Sequence, residues 1–358
     1  MIKKVLFGVV LLGTVWALAA SIEPLKLPKS EFSPALGEKI AIPFRTSKAG
    51  EVRIEIYTSD WSLIRTISMK VPKGGTYRVV WDGKDSDGDV VPDEAYVLRY
   101  ILQTDGRRVE YDARKTGGEI LQDIDRKADI YGTISYTLPV PARTLVRVGI
   151  DGGPMLRILS NWRPRSAGKV RHKWNFKNDS GNVDFSRFRY IAAITAFALP
   201  KYSIITTNNT KEDYLTYFKR KQLSCNLPKQ ITSKMLMRDG KRISVHYFKC
   251  RSDERTPKLM LKILKAPKKN GIYILKNDKP VTVVLQMDKE DLALVQKKQY
   301  EVSFYVDGRF VSEAEQGYIP IRWIYEPNGL KKGSHIMTVN VTTFDGNVAT
   351  KSINFVVK

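Results

Sequence analysis

Residues Gly74 to Tyr100 read GGTYRVVWDGKDSDGDVVPDEAYVLRY, and this stretch decides the architecture. Thr76–Trp81 is rich in β-branched and aromatic residues. Asp85-Ser86-Asp87-Gly88 is a turn cluster, and Ala95–Gln103 (AYVLRYILQ) resumes an extended apolar pattern. Upstream lie three more short segments, Lys39–Thr46 (KIAIPFRT), Val52–Tyr57 (VRIEIY) and Leu63–Ser68 (LIRTIS). Ser59-Asp60 and Pro72-Lys73-Gly74-Gly75 separate them. Short strands at 8–12-residue spacing with such punctuation predict an antiparallel β-sandwich. The pattern then returns. WDGKDSDGDV (81–90) is echoed by WNFKNDSGNV (174–183), IRTISMKVP (64–72) by LRILSNWRP (156–164), and VRIEI (52–56) by VRVGI (146–150). The offsets of 93, 92 and 94 residues predict a duplicated sandwich with small insertions in its loops.

Trp81, Asp82, Gly83, Asp87, Gly88, Pro92, Asp93 and Tyr96 make the first copy resemble the FlgD-like immunoglobulin-type domain. The family's usual glycine after Pro92-Asp93 is Glu94 here. In the second copy Asn175 and Phe176 replace Asp82 and Gly83, and Pro92 has no counterpart. The resemblance covers about a quarter of the chain. It implies a β-sandwich found in flagellar hook-cap proteins and in exported surface proteins, and it implies no catalysis.

Residues 271–358 read as a third all-β unit. Its segments are VTVVLQM (281–287), YEVSFYVDGRFV (300–311), IPIRWIY (319–325), SHIMTVNVTTFDG (334–346) and TKSINFVVK (350–358). Asp307-Gly308 is a favoured hairpin turn. Gly333-Ser334-His335 and Phe344-Asp345-Gly346-Asn347 resemble the closing strands of bacterial Ig-like domains. The fold class expected is therefore all-β, with three Ig-like or fibronectin-like antiparallel sandwiches in tandem. The expected division is a signal peptide over 1–20, FlgD-like repeats over 35–122 and 128–200, a basic polar segment over 201–270 and the Ig-like unit over 271–358.

The signal peptide is read from MIKKVLFGVVLLGTVWALAA. Lys3 and Lys4 precede an apolar stretch, and Ala17-Leu18-Ala19 fits the small-x-small cleavage rule. A secreted, periplasmic or cell-surface protein is expected, with no membrane span after cleavage. Export favours a disulfide between Cys225 and Cys250 over two free thiols. Their spacing does not suit thiol exchange, which uses C-x-x-C. Within 201–270, Glu212–Lys221 is a candidate short helix, and Val245–Lys249 and Lys258–Lys265 are candidate strands.

Charge is distributed unevenly. The chain has 358 residues, with 60 Lys+Arg against 37 Asp+Glu, a net +23. Residues 21–122 are neutral overall, 271–358 carry +1, and 128–270 carry +20. Such a block suits an anionic polymer: an acidic polysaccharide, a teichoic-type polymer, lipopolysaccharide phosphates or extracellular DNA. The alternative is a solvated face that serves solubility. Candidate polyanion-binding residues are Arg163, Arg165, Lys169, Arg171, Lys173, Lys219, Arg220, Lys221, Lys268 and Lys269.

The catalytic signatures G-x-S-x-G, H-E-x-x-H and the P-loop are absent from the sequence. His172, His246 and His335 lie far apart in sequence, and two cysteines cannot build a four-cysteine zinc site. Asp85, Asp87 and Asp89 suggest a calcium loop. However, Val90 occupies the required glycine position and Tyr96 the required glutamate position. No catalytic residue, metal or cofactor is expected. The function expected is non-catalytic adhesion, scaffolding or ligand display, with protein or glycan partners at the cell surface or an anionic polymer. Alternatives are a flagellar hook-cap-like assembly factor and a polyanion- or carbohydrate-binding module.

Overall fold

The computed structural model describes residues 19–315 and 318–358; residues 1–18 of the expected signal peptide lie outside the described residues. The described chain is dominated by antiparallel strands in facing sheets. Strands β1 (Ile22–Pro24), β2 (Glu31–Phe32), β3 (Ile40–Thr46), β4 (Gly50–Tyr57), β5 (Leu63–Val71), β6 (Gly75–Trp81), β7 (Ala95–Thr104) and β8 (Arg107–Asp112) build the first pair of sheets. One sheet has the order β1-β3-β6, and β7-β4-β5 forms the other with β8 beside β7. Alternation explains the core. In β3, Ile40, Ile42 and Phe44 point inward, and in β4 Val52, Ile54 and Ile56 do so. They pack with Trp81, Tyr96, Leu98, Tyr100 and Leu102.

The second pair repeats the first. β9 (Arg126–Ala128), β10 (Thr133–Leu138), β11 (Ala142–Ile150), β12 (Met155–Arg165), β13 (Gly168–Lys173) and β14 (Tyr190–Ala198) form sheets ordered β13-β10-β9 and β12-β11-β14. These orders match β6-β3-β1 and β5-β4-β7. The two acidic turns share the indole bond and the side-chain bond to the amide four residues on, and differ in the second side-chain bond. Trp81 Nε1 donates to the Lys84 carbonyl at 2.9 Å, and Trp174 Nε1 donates to the Lys177 carbonyl at 2.9 Å. Asp85 Oδ1 accepts the amides of Asp87 and Asp89, and Asn178 Oδ1 accepts those of Asn182 and Val183. The lost glycine also has an account. Gly83 has φ +72, and a Cβ there would lie 2.2 Å from Pro34. Its counterpart Phe176 holds φ 58, with its ring 5.1 Å from that of Trp174. The second copy accepts the left-handed cost and gains an aromatic contact.

The chain then folds back onto the first pair. β15 (Ile204–Thr206) runs antiparallel to β7 and parallel to β2, which completes the order β2-β15-β7-β4-β5. Helix α1 (Tyr214–Arg220) is capped by Asp213, whose side chain accepts from the amides of Leu215 and Thr216. A ribbon of β16 (Met237–Arg238) and β17 (Lys241–Arg242) follows. Val245–Phe248, expected as a strand, is a 3-10 turn capped by Ser244. Consecutive Tyr247 and Phe248 both enter the cluster around Trp162 and Phe197, which a strand's alternating faces would not allow.

The third pair begins before residue 271. β18 (Leu259–Leu264) pairs with β21 (Val281–Met287), and β19 (Lys268–Lys269) pairs with β20 (Ile272–Leu275). β22 (Tyr300–Val306), β23 (Arg309–Glu315), β24 (Ile321–Tyr325), β25 (Gly333–Thr343) and β26 (Val348–Val357) complete sheets ordered β18-β21-β24 and β19-β20-β26-β25-β22-β23. Between β21 and β22 lies helix α2 (Lys289–Gln296), capped by Asp288; its eight residues are too short to show a clear helical period. Asp307 and Gly308 have φ 49 and 80, as a type I′ hairpin requires. The Asn340 side chain on β25 accepts from the Met155 amide and donates to its carbonyl, both at 2.8 Å. It thus pairs with the start of β12 as a neighbouring strand would.

Candidate polyanion-binding surface

The ten basic residues singled out in the sequence go to four different places. Arg163 and Arg165, on β12, line a groove of about 620 Å³ between the first two sheet pairs. Lys169, Arg171 and Lys173 alternate along β13. Lys219, Arg220 and Lys221 close α1. Lys268 and Lys269 form β19 at the border of the last sheet, where the Lys268 ammonium sits 4.1 Å from the centre of the Tyr273 ring.

Arg220 and Lys221 are turned toward carboxylates of their own chain. The Lys221 ammonium lies 2.9, 2.7 and 2.6 Å from Asp85, Asp87 and Asp89. It occupies the position that the acidic turn suggested for a calcium ion. Burial pushes the Lys221 pKa down, but the three carboxylates outweigh it and the net direction is upward. Hydrogen bonds from Lys221 and then Arg220 hold Asp89 down at about 2. Arg220 also makes a two-pronged contact with Glu212. These two cations fasten α1 to the first copy's turn and are not free for an external anion. Lys219 is exposed.

The β13 row is different. Lys169, Arg171 and Lys173 are exposed, whereas Val170 and His172 turn toward the core. Their register places Lys169 opposite Thr137, Arg171 opposite Ser135 and Lys173 opposite Thr133 on β10. Lys127 on β9 lies opposite Ser135 from the other side. Three strands thus present four cations around a line of hydroxyls. Among the described residues, none of the four has a carboxylate within ion-pair distance. Lys173 donates to the Tyr131 carbonyl at 2.6 Å, and its charge helps lower Asp129, whose pKa is held down first by the Thr133 amide. Because β13 is an edge strand, the same charges also discourage edge-to-edge aggregation. Lys127 was missed in the sequence because residues 123–127 balance to zero; only its register with Ser135 brings it to this face.

Under the row, His172 Nε2 lies 3.3 Å from the Tyr136 hydroxyl. Burial, then the charge of Arg165, lowers its pKa from 6.5 to about 4. Between these values the unfolded chain binds a proton that the folded chain does not. Stability therefore rises with pH from about 4 to 6.5 and is lost on acidification through that window. With allowance for its partial exposure, His172 contributes about 1–2 kcal/mol of this dependence. His172→Gln is expected to flatten that part of a stability-against-pH curve from urea titrations. An unchanged slope would refute the assignment.

The groove's floor is a buried ionic seam. Glu94, 3% exposed, meets Arg143 of β11 and lies 3.4 Å from Arg251 Nε. Arg143 also donates to the Trp162 carbonyl at 2.9 Å. The Arg251 amide donates to Asp60 at 2.8 Å, and the Tyr214 hydroxyl to the other oxygen at 3.0 Å. Burial raises the Asp60 pKa despite these donors. His246 Nδ1 lies 2.8 Å from Glu254 Oε1, with its ring 4.2 Å from that of Trp162. Ser59, His246 and Glu254 line a small space of about 20 Å³, room for about one water. Among the described residues Ser59 Oγ has no hydrogen-bond partner. The seam joins the two sheet pairs through the intervening segment.

Cys225 and Cys250 form the disulfide, with Cα atoms 6.0 Å apart. It ties the end of the α1 region to the turn that supplies Arg251. Replacing both cysteines by serine is expected to cost about 3 kcal/mol on a loop-closure account. Denaturant midpoints with and without reductant check this: the wild type should lose stability on reduction and the variant should not respond.

The class these features define is an all-β protein of Ig-like sheets. Residues 34–101 match the family model of the FlgD Ig-like domain. No curated protein matches the chain in sequence. Among solved structures it is similar to a tetra-tandem repeat from the extending region of a large adhesion protein, at 11% identity over 95% of this chain and 74% of that one, with TM-score 0.19. A 1.5-MDa bacterial ice-binding adhesin structure aligns at 12% identity, over 95% and 97%, with TM-score 0.20. The chicken CNTN1 FN1–FN3 domains align at 11%, over 94% and 98%, with TM-score 0.17. At these values the likenesses carry no argument about function. No helix among the described residues is long and apolar enough to cross a membrane.

Proposed function

We propose that this chain is an exported, non-catalytic scaffold at a cell surface or in the periplasm, and that the outer face of β13-β10-β9 holds an anionic polymer. The supporting observation is the placement of Lys127, Lys169, Arg171 and Lys173 on one exposed face, none of them within ion-pair distance of a carboxylate among the described residues. The seam joins β11 of the same sheet pair to the first pair, so binding need not order a mobile frame. Retention on a heparin matrix tests the reading. The Lys169→Gln/Arg171→Gln/Lys173→Gln variant should elute at clearly lower salt, whereas Lys268→Gln/Lys269→Gln should elute like wild type. Equal elution of all three proteins would refute it.

The FlgD-like match favours a second reading, an assembly factor of the hook-cap kind. An intact Met1 on the secreted protein would support it, and a cleaved N-terminus would remove it.

A further inference from the structure

The spacing of the β13 cations narrows the ligand class; this step rests on the polyanion reading above. Lys169, Arg171 and Lys173 are separated by two residues of extended chain, six backbone bonds spanning about 6.8 Å. A polymer in which a three-carbon polyol bridges successive phosphates also places six bonds between phosphorus atoms, and by the same bond geometry repeats at about 6–7 Å when extended. Each phosphate then faces one cation, and each polyol hydroxyl faces the row of Thr133, Ser135 and Thr137. Lys127, two strand spacings from Arg171 at about 9.6 Å, borders the track on the far side.

Duplex DNA presents a charge every 1.7 Å or so along its axis, far denser than this row. A nucleic-acid single strand shares the six-bond phosphate repeat. Its bases, however, need aromatic platforms. Between the cations the face offers only Thr and Ser, and the exposed aromatic at its rim is Tyr131. We infer that the β13-β10 face of this protein binds a linear phosphodiester polymer of a short polyol, one phosphate per cation of Lys169, Arg171 and Lys173.

The test uses the full chain and a fluorescent oligo(glycerol phosphate) of about eight repeats, with oligo(dT) of equal phosphate number and a heparin tetrasaccharide as comparators. For three neutralised phosphates the slope of log affinity against log salt should be about −2, so affinity falls roughly 20-fold between 50 and 200 mM salt. Arg171→Gln should reduce that slope by about 0.7. Arg171→Lys should retain it. The comparators should bind at least tenfold more weakly. If oligo(dT) or heparin binds as tightly, in a manner that still depends on the β13 cations, the polyol inference fails and the polyanion reading stands. If the triple glutamine variant, with unchanged thermal unfolding, binds every probe like wild type, both fail.

Discussion

Arg143→Met is expected to destabilise the junction between the first two sheet pairs by about 3–5 kcal/mol, the usual cost of removing one partner from a buried ion pair. Arg143 is 5% exposed and Glu94 is 3% exposed, so the methionine side chain leaves a carboxylate without its principal countercharge. Arg251 Nε stays 3.4 Å from the other Glu94 oxygen, but this contact is not a well-formed hydrogen bond, so it offsets only part of the loss. The Trp162 carbonyl loses its donor in the same step. Glu94→Gln in the Arg143→Met background should recover much of the loss, because the amide carries no charge to strand. Urea unfolding followed by tryptophan fluorescence reads both effects. A chain of several sheet pairs need not unfold in one step, so the first transition is the one to compare. A loss below about 1 kcal/mol would mean that the seam contributes little to holding the pairs together.

Trp174→Ala is expected to cost a similar 3–5 kcal/mol, confined to the second sheet pair. Trp174 is 1% exposed and packs against Phe176, Phe185 and Tyr190, with ring centres 5.1, 6.4 and 5.2 Å away. Removal opens a cavity in a small core that also includes Ile134, Val148 and Leu156, and it deprives the Lys177 carbonyl of its indole donor. Trp174→Phe should lose less, since it preserves most of the apolar volume. If Trp174→Ala unfolds no more readily than wild type, the two indoles are not equivalent, and the shared turn design of the two copies loses its energetic meaning.

The duplicated sandwich was legible because its signals are local. Strand alternation, the indole-anchored acidic turn and the Asp307-Gly308 hairpin each depend on neighbours within about ten residues. This is why Asn178 could be matched to Asp85 although both of the residues after Trp174 had changed. Within residues 201–258 the short helix and the disulfide were legible, but the way the segment attaches to the sheets was not. A polar segment with weak periodicity gives no sign that Ile204–Thr206 will join a sheet begun at Glu31, or that two adjacent aromatics will fill a gap beside Trp162.

Sequence alone determined the β class, the repeat, the cysteine pairing and the size of the charge excess, since each follows from residue type and short-range order. Tertiary structure decided which charges are available. Lys221 meets Asp85 across 136 positions, and Arg143 meets Glu94 across 49, whereas Lys127 and Arg171 come to share an open face. An ion pair depends on the distance between two groups in space, and only the completed fold sets that distance.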